Sequence, residues 1–300
     1  MMQASKLAKL ATGGKHMARG MFHALAELGH SHRTPVKDAS EGAHRLAATL
    51  GLIARSHGIR VRVSGEVPRM PSLLVCNHVS YLDPLAILPL CPAIPLAKSE
   101  VADWPVVGPV AKQLGVAFID RNDAMQRAAT LRRLSRMMAQ GVSVLNFAEG
   151  TTTDGRTVAP FWRGSFGVAQ QLELPVVPLA IRYDDPKMAW TGGAAFLPHY
   201  TAMAQKRSIG VSLVIGSPLY PRTGEPPEHF AARARNAVSA LLHRVTPMSS
   251  LALSSTETAR AARPPVLTLV PSTPSARNSS YAAIRARIPA TRSESIFSVA

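Results

Sequence analysis

The chain has 300 residues, of which 46% are hydrophobic and 17% charged, a balance typical of a globular protein with a sizeable core. Lysine and arginine outnumber the acids by 34 to 18, and the net charge of +16 favours an anionic partner such as a nucleic acid or a negatively charged membrane surface. The two cysteines, Cys76 and Cys91, do not form a Cys-x-x-Cys pair and give no support for a metal or redox site, and the sequence predicts no transmembrane helix because no 18-residue run is apolar.

The first 58 residues predict a pair of helices. After a frayed start over residues 1–15, apolar side chains recur at helical spacing over 16–29, and a second such pattern covers 41–57. Residues 1–60 hold nine Lys and Arg against three acids. The pattern alone leaves two interpretations open: the helices pack on the core, or they lie in a membrane interface with their basic faces toward anionic lipid.

From residue 59 onward, short strands alternate with helices. Strands are predicted over residues 60–65, 72–76, 94–97, 115–119, 142–147, 176–181 and 212–215. Helices are predicted from Asp83, within 101–114, from a cap at Asn122 to Gln140, over 165–172 and over 227–245. Pro178 predicts an edge or bulge position for its strand. This alternation predicts an α/β fold with a mixed sheet flanked by helices, and the order of the strands cannot be read from it.

The last part of the chain is compositionally different. Residues 247–300 are rich in Ser, Thr, Pro and Ala, hold six Arg against two Glu, and have no apolar periodicity. This composition predicts a disordered basic tail. The predicted organisation is an N-terminal helical pair over 1–58, an α/β domain over 59–246 and the tail over 247–300.

One turn has the residue types of a general base. The apolar run over residues 73–76 predicts a buried strand, Asn77 and His78 follow it, and Pro84 predicts that a helix begins near Asp83. An aspartate five residues after a histidine can hold the imidazole in one tautomer, which leaves the second ring nitrogen free to take a proton from a hydroxyl. Taken alone, the turn favours a capping aspartate and a surface histidine over a catalytic pair.

Four blocks in order resemble the motifs of the glycerolipid acyltransferase family, of the lysophosphatidate acyltransferase type. They are the turn over residues 77–83, then 115–121 (Gly-Val-Ala-Phe-Ile-Asp-Arg), 147–151 (Phe-Ala-Glu-Gly-Thr) and 174–178 (Leu-Pro-Val-Val-Pro). The resemblance covers roughly residues 60–220 and implies transfer of a fatty acyl chain from acyl-CoA or acyl-carrier protein to the free hydroxyl of a lysolipid acceptor. It implies His78 as the general base, with Asp83 stabilising the imidazolium, and Asn77 in oxyanion binding or loop orientation. The side chains and backbone implied in binding the acceptor head group are those of Lys98, Arg121, Glu149, Gly150 and Thr151.

The same resemblance bears on partners and location. The family's N-terminal helical pair docks on the membrane, which favours the interfacial interpretation of residues 1–58. We therefore expect a peripheral or monotopic protein on the cytoplasmic face of the inner or plasma membrane, whose partners are lipid rather than nucleic acid. No Ser or Cys lies in a nucleophile-elbow pattern, so we expect direct transfer, with amides near Asp83 serving the oxyanion and no cofactor or metal.

The third block departs from the family pattern Phe-Pro-Glu-Gly-Thr-Arg-Ser. Ala148 replaces the proline and Thr152 replaces the arginine, and a threonine cannot replace a bidentate phosphate partner. Arg156 or Arg163 could still supply the missing cation. The first expectation is a 1-acylglycerol-3-phosphate acceptor. The alternatives are the phosphate-free lyso-ornithine lipid, whose acyltransferases this region also resembles, and a catalytically inactive lipid-binding adaptor.

Overall fold

The structure is a computed structural model that describes residues 2–191 and 193–245, with side chains from residue 7 onward. The predicted disordered tail lies outside the described residues. The helices are α1 (Met2–Arg33), α2 (Ala39–Ser56), α3 (Asp83–Ile87), α4 (Val107–Gln113), α5 (Ala124–Ala139), α6 (Gly164–Gln171), α7 (Phe196–Ala204) and α8 (Pro227–Arg244). The strands are β1 (Ile59–Ser64), β2 (Leu73–Cys76), β3 (Ile94–Lys98), β4 (Ala117–Ile119), β5 (Val144–Asn146), β6 (Val176–Tyr183) and β7 (Ile209–Ile215).

The seven strands form one mixed sheet in the order β1-β7-β6-β2-β5-β3-β4. The five strands from β6 to β4 are parallel to one another, and β7 pairs antiparallel with β6. The carboxyl ends of β2, β3, β4, β5 and β6 therefore meet at one edge, which is where parallel α/β sheets place their ligands. This edge brings together the loops that carry the candidate residues.

Helices cover both faces of the sheet, which explains why β2 is a continuous apolar run. Leu74 and Cys76 belong to an apolar cluster with residues of α3 and α4. Leu73 and Val75 belong to a second cluster with residues of α6 and α8. Successive side chains of a strand point to opposite faces, so each face of β2 contributes to a different half of the core. The predicted fold class and the N-terminal helical pair are confirmed.

The first helix is longer than predicted. It begins at Met2 rather than His16, because residues 2–12 are mostly good helix formers and because Gly13 is a packing residue, not a breaker. A Cβ at Gly13 would lie 2.9 Å from Cγ of Gln205 in the segment after α7, and a Cβ at Gly20 would lie 2.6 Å from a ring carbon of His57. Small residues thus let α1 approach its neighbours closely.

The predicted edge position of Pro178 is wrong, while the alternative of a bulge fits. Strand β6 lies inside the sheet, between β7 and β2. The ladder with β7 ends at Leu179 paired with Ile215, and the next pairing is Val176 with Leu219. One extra residue on the β7 side therefore bulges opposite Pro178, at the place where the proline cannot donate a hydrogen bond.

Other boundaries also differ from the prediction. The side chain that caps α5 is Asp123 rather than Asn122, since its carboxylate accepts from the amides of Met125 and Gln126. Helix α7 was not predicted, because residues 196–204 have no clear amphipathic pattern. The buried stripe of α8 runs through Phe230, Ala234, Val238 and Leu242.

Candidate active site

The histidine and aspartate of the turn between β2 and α3 form a direct pair. Nδ1 of His78 lies 2.7 Å from Oδ2 of Asp83, and the His78 side chain is 21% exposed while that of Asp83 is fully buried. Donation from Nδ1–H to the carboxylate leaves Nε2 as a proton acceptor, and no described residue forms a hydrogen bond with Nε2. The imidazole stacks on Phe147, with ring centroids 4.0 Å apart and planes at 16°. The pair has the geometry of a general base with its orienting carboxylate.

Four donors converge on the buried carboxylate of Asp83. Besides His78, the amides of Val79 and Ser80 donate to Oδ2 at 2.8 and 3.1 Å, and the Tyr183 hydroxyl donates to Oδ1 at 2.7 Å. Donors of this kind stabilise a buried anion. The expectation that amides near Asp83 bind the oxyanion does not fit Val79 and Ser80, because both already bind the carboxylate.

Tyr183 was missed by the sequence analysis. It ends β6, exactly one hundred residues beyond Asp83, and no local pattern links the two. Burial, and then the negative charge of Asp83, raise the pKa of the Tyr183 phenol well above its ordinary value. The hydroxyl therefore remains a donor to the carboxylate.

Glu149 has a different task from the predicted one. Its side chain is buried, with Oε1 accepting from the amide of His78 and Oε2 from the amide of Ala159, each at 2.7 Å. Burial raises the pKa of the carboxyl, and the two amides act in the opposite direction. Both carboxylate oxygens accept hydrogen bonds from backbone amides. Glu149 therefore stabilises the loop of His78 rather than facing an acceptor head group.

Asn77 fits only one of its two predicted roles. Its side-chain NH₂ donates to the carbonyl of Ile181 at 3.0 Å, and its side-chain oxygen accepts from the amide of Ile181 at 2.8 Å. The residue is completely buried. Both ends of the carboxamide are thus used to attach the turn to β6, which supports loop orientation and not oxyanion binding.

Arg121 and Gly150 are in direct contact. A guanidinium nitrogen of Arg121 donates to the carbonyl of Gly150, and Arg127 holds the backbone carbonyl of Arg121 at 2.6 Å. Gly150 has a φ of +78°, and a Cβ there would collide with the Arg121 guanidinium. Burial lowers the pKa of Arg121, and the nearby Glu100 opposes this shift.

The other two predicted head-group residues are open to solvent. The Lys98 side chain is 60% exposed and its ammonium lies 2.5 Å from the Glu100 carboxylate. Thr151 is exposed and follows Gly150. A ligand at this edge would therefore meet Lys98, Glu100 and Arg121, two cations and one anion.

Thr152, which replaces the family's arginine, is engaged with the backbone. Its hydroxyl donates to the carbonyl of Trp190, whose amide donates to the carbonyl of Val79 at 2.9 Å. Thr152 thereby links the third block to the turn of His78. The two arginines considered as substitutes face acids: Arg156 lies 3.6 Å from Asp154, and Arg163 lies 3.5 Å from Glu228.

The sequence comparisons agree with this geometry. The sequence model of the family described as Acyltransferase matches residues 58–182. A lyso-ornithine lipid O-acyltransferase of Brucella abortus is 30% identical over 210 residues, covering 64% of this chain and 79% of the relative. One of Pseudomonas aeruginosa is 32% identical over 212 residues, covering 69% and 81%. A 1-acyl-sn-glycerol-3-phosphate acyltransferase of Neisseria meningitidis is 30% identical over 163 residues, covering 53% and 62%.

A solved structure has the same fold. The crystal structure of the 1-acyl-sn-glycerophosphate acyltransferase PlsC of Thermotoga maritima matches with a TM-score of 0.58 and 20% identity, covering 81% of this chain and 97% of that one. The blocks predicted from the sequence, the edge of the sheet where they meet, and the relatives matched over most of their length all lead to one assignment. The chain belongs to the acyltransferase family and is an O-acyltransferase.

Proposed function

We propose that the protein transfers a fatty acyl chain from a thioester, acyl-CoA or acyl-carrier protein, to the free hydroxyl of a lysolipid. The observation that carries this proposal is the pair of His78 and the buried, four-fold hydrogen-bonded Asp83, because it leaves a half-open imidazole with one free nitrogen. An alcohol becomes a good nucleophile only when a base removes its proton.

The reaction follows from this arrangement. Nε2 of His78 takes the proton as the hydroxyl oxygen attacks the thioester carbonyl, and Asp83 stabilises the imidazolium that results. Collapse of the tetrahedral adduct forms the ester and breaks the C–S bond, and the thiolate that leaves recovers the proton from His78. No step of this proposal requires a metal or a cofactor.

We favour lyso-ornithine lipid over 1-acylglycerol-3-phosphate as the acceptor. The first expectation from the sequence was the phosphate acceptor. Thr152 donates instead to the backbone of Trp190, so it offers a phosphate no bidentate partner. The relatives of Brucella abortus and Pseudomonas aeruginosa, matched over 210 and 212 residues, are named for lyso-ornithine lipid. A site with Lys98, Glu100 and Arg121 also suits a head group that carries both an amine and a carboxylate.

The acceptor is a lipid, and we propose that α1 holds the protein on the membrane surface. Its outer face carries large apolar side chains that are about half exposed or more: Leu7, Leu10, Met21, Phe22 and Leu25. Lys15, Arg19 and Arg33 are exposed on the same helix. An exposed apolar stripe with basic neighbours is typical of a helix that lies in the interface of an anionic membrane. No helix within the described residues is long and apolar enough to span a bilayer.

Acyl transfer itself tests the proposal. Labelled acyl-CoA and labelled acyl-carrier protein are supplied separately to the full chain on anionic vesicles, with lyso-ornithine lipid or 1-acylglycerol-3-phosphate as acceptor. His78→Ala should lower the rate by at least about a hundredfold, the usual contribution of a general base. His229→Ala is the matched control, because His229 is an exposed histidine on α8.

The outcomes separate the alternatives. Transfer to 1-acylglycerol-3-phosphate alone would show that this phosphate-bearing lipid, and not lyso-ornithine lipid, is the acceptor. A His78→Ala protein that folds and retains most of the activity would remove His78 as the base. Lipid binding without transfer to any lysolipid would favour the adaptor alternative.

A further inference from the structure

The catalytic turn is fastened to β6 at two points. Asn77 at its start is held by the backbone of Ile181, and Asp83 at its end is held by the side chain of Tyr183, two residues further along the same strand. The first attachment sets the backbone of the turn. The second acts on the carboxylate that orients the base, so its chemical consequences are different.

The Tyr183 hydroxyl is the donor that occupies Oδ1 of Asp83, while the three other donors reach Oδ2. The carboxylate is fully buried, so removal of the phenol hydroxyl would leave Oδ1 without the donor it has and without water in its place. A carboxylate with fewer donors attracts the imidazole proton more strongly. Whether Oδ1 accepts a hydrogen bond therefore affects how readily the protonated His78 ring releases its proton.

We propose that Tyr183 is a positioning residue for acyl transfer, whose hydroxyl fixes the Asp83 carboxylate and limits how strongly that carboxylate holds the imidazole proton of His78. The inference rests on the proposed function of the His78–Asp83 pair. Tyr183 does not contact Nε2 and does not exchange a proton with the substrate.

The other ionisable groups near the pair are few among the described residues. The Cys76 thiol is fully buried beside Asp83 and Glu149, whose charges, after burial itself, raise its pKa. Burial, and then the neighbouring Tyr200, raise the pKa of the Tyr81 phenol well above its ordinary value. Glu149 faces the backbone amide of His78. The raised pKa values keep the Cys76 thiol and the phenols of Tyr81 and Tyr183 neutral. Tyr183→Phe therefore removes a hydrogen bond without changing a charge.

The test measures the titration of the His78 ring by nuclear magnetic resonance in the full chain, with labelled histidine in lipid nanodiscs and His78→Ala to assign the signal. In Tyr183→Phe the signal should titrate about one pH unit higher than in the wild type, since a hydrogen bond to a charged group is lost. The acid limb of kcat/KM should move by the same amount. The loss should reach about tenfold on the acid limb, should shrink as the pH is raised, and should leave KM for the lysolipid unchanged.

Two further variants make the test specific. Tyr200→Phe removes another partly buried phenol hydroxyl, but one that bonds His57, and should leave the acid limb in its wild-type place. Replacement of Tyr183 by 3-fluorotyrosine keeps the ring and strengthens the donor, so the His78 signal should titrate lower than in the wild type. This second substitution remains informative even where Tyr183→Phe folds poorly.

An unchanged titration in both Tyr183 variants, or a loss of activity equal at every pH, would overturn the proposal and leave Tyr183 as a packing residue. Acyl transfer with an unmoved titration would reject the role of Tyr183 and leave the proposed function intact. A moved titration without transfer to any lysolipid would uphold the positioning and reject the proposed substrate class.

Discussion

Two buried carboxylates hold the turn that carries His78. Asp83 binds the imidazole side chain and Glu149 binds the backbone amide of the same residue, so ring and backbone are fixed independently. The proximity of His78 and Asp83 could be predicted from the sequence, because they are five residues apart in a local strand–turn–helix pattern. It could not reveal the task of Glu149, whose contact with His78 spans 71 residues and depends on β2 and β5 being neighbours.

At the same scale, Thr152 tests the choice of acceptor. Thr152→Arg should introduce a guanidinium able to bind phosphate in a bidentate manner, at the position where the family pattern has an arginine. We expect the ratio of kcat/KM for 1-acylglycerol-3-phosphate to that for lyso-ornithine lipid to rise by about tenfold or more, the contribution of a charge-assisted hydrogen bond. Initial rates with the two acceptors on identical vesicles measure it.

Thr157→Arg is the matched control for this substitution. It adds the same charge to the same loop at an exposed position and leaves the bond between Thr152 and the Trp190 carbonyl in place. An equal change of the ratio in both variants would mean that net charge, not the position of the guanidinium, selects the acceptor.

At the scale of elements, α1 has its small residues inside and its large apolar residues outside. Gly13 and Gly20 face the segment after α7 and His57, and the partly buried ion pair of Glu27 with Arg45 fastens α1 to α2 at 2.5 Å. Leu28 packs on the core and the two glycines let the helix approach its neighbours closely, so the exposed large side chains on the outer face of α1 remain free to contact another apolar phase. The sequence left packing and membrane contact as alternatives, whereas one helix can do both with different faces.

Phe22 and Leu25 test the outer face of α1, since they are 67% and 48% exposed. Replacing both by Ser should weaken binding to anionic vesicles by at least about a hundredfold, because each large apolar side chain buried in the membrane contributes about 1.5–3 kcal/mol. Co-sedimentation with vesicles measures the partition. Met125→Ser removes an apolar side chain that is 77% exposed on α5 and should leave binding unchanged; an equal effect of both changes would argue for non-specific adhesion.

At the scale of the whole molecule, the site exists because five parallel strands end at one edge. The alternation of strands and helices predicted the α/β class, and the apolar run of β2 predicted burial on both faces. The order of strands depends on contacts between residues far apart in sequence, such as Leu74 with Val177 and Leu145, and no local period encodes such contacts. For this reason the sequence identified the four blocks but not which residues of each touch one another.

The charge of the whole chain gives the last prediction. A net charge of +16 should attract the protein to anionic lipid over a distance set by the Debye length, which shrinks from about 10 Å at 0.1 M salt to about 3 Å at 1 M. Vesicle binding and acyl transfer on anionic vesicles should therefore fall together as salt is raised, whereas the weaker binding to uncharged vesicles, which depends on the apolar face of α1, should change little. Parallel measurements with a DNA duplex decide between the two anionic partners: tight, steeply salt-dependent duplex binding without vesicle binding would contradict a membrane role and favour a nucleic-acid partner.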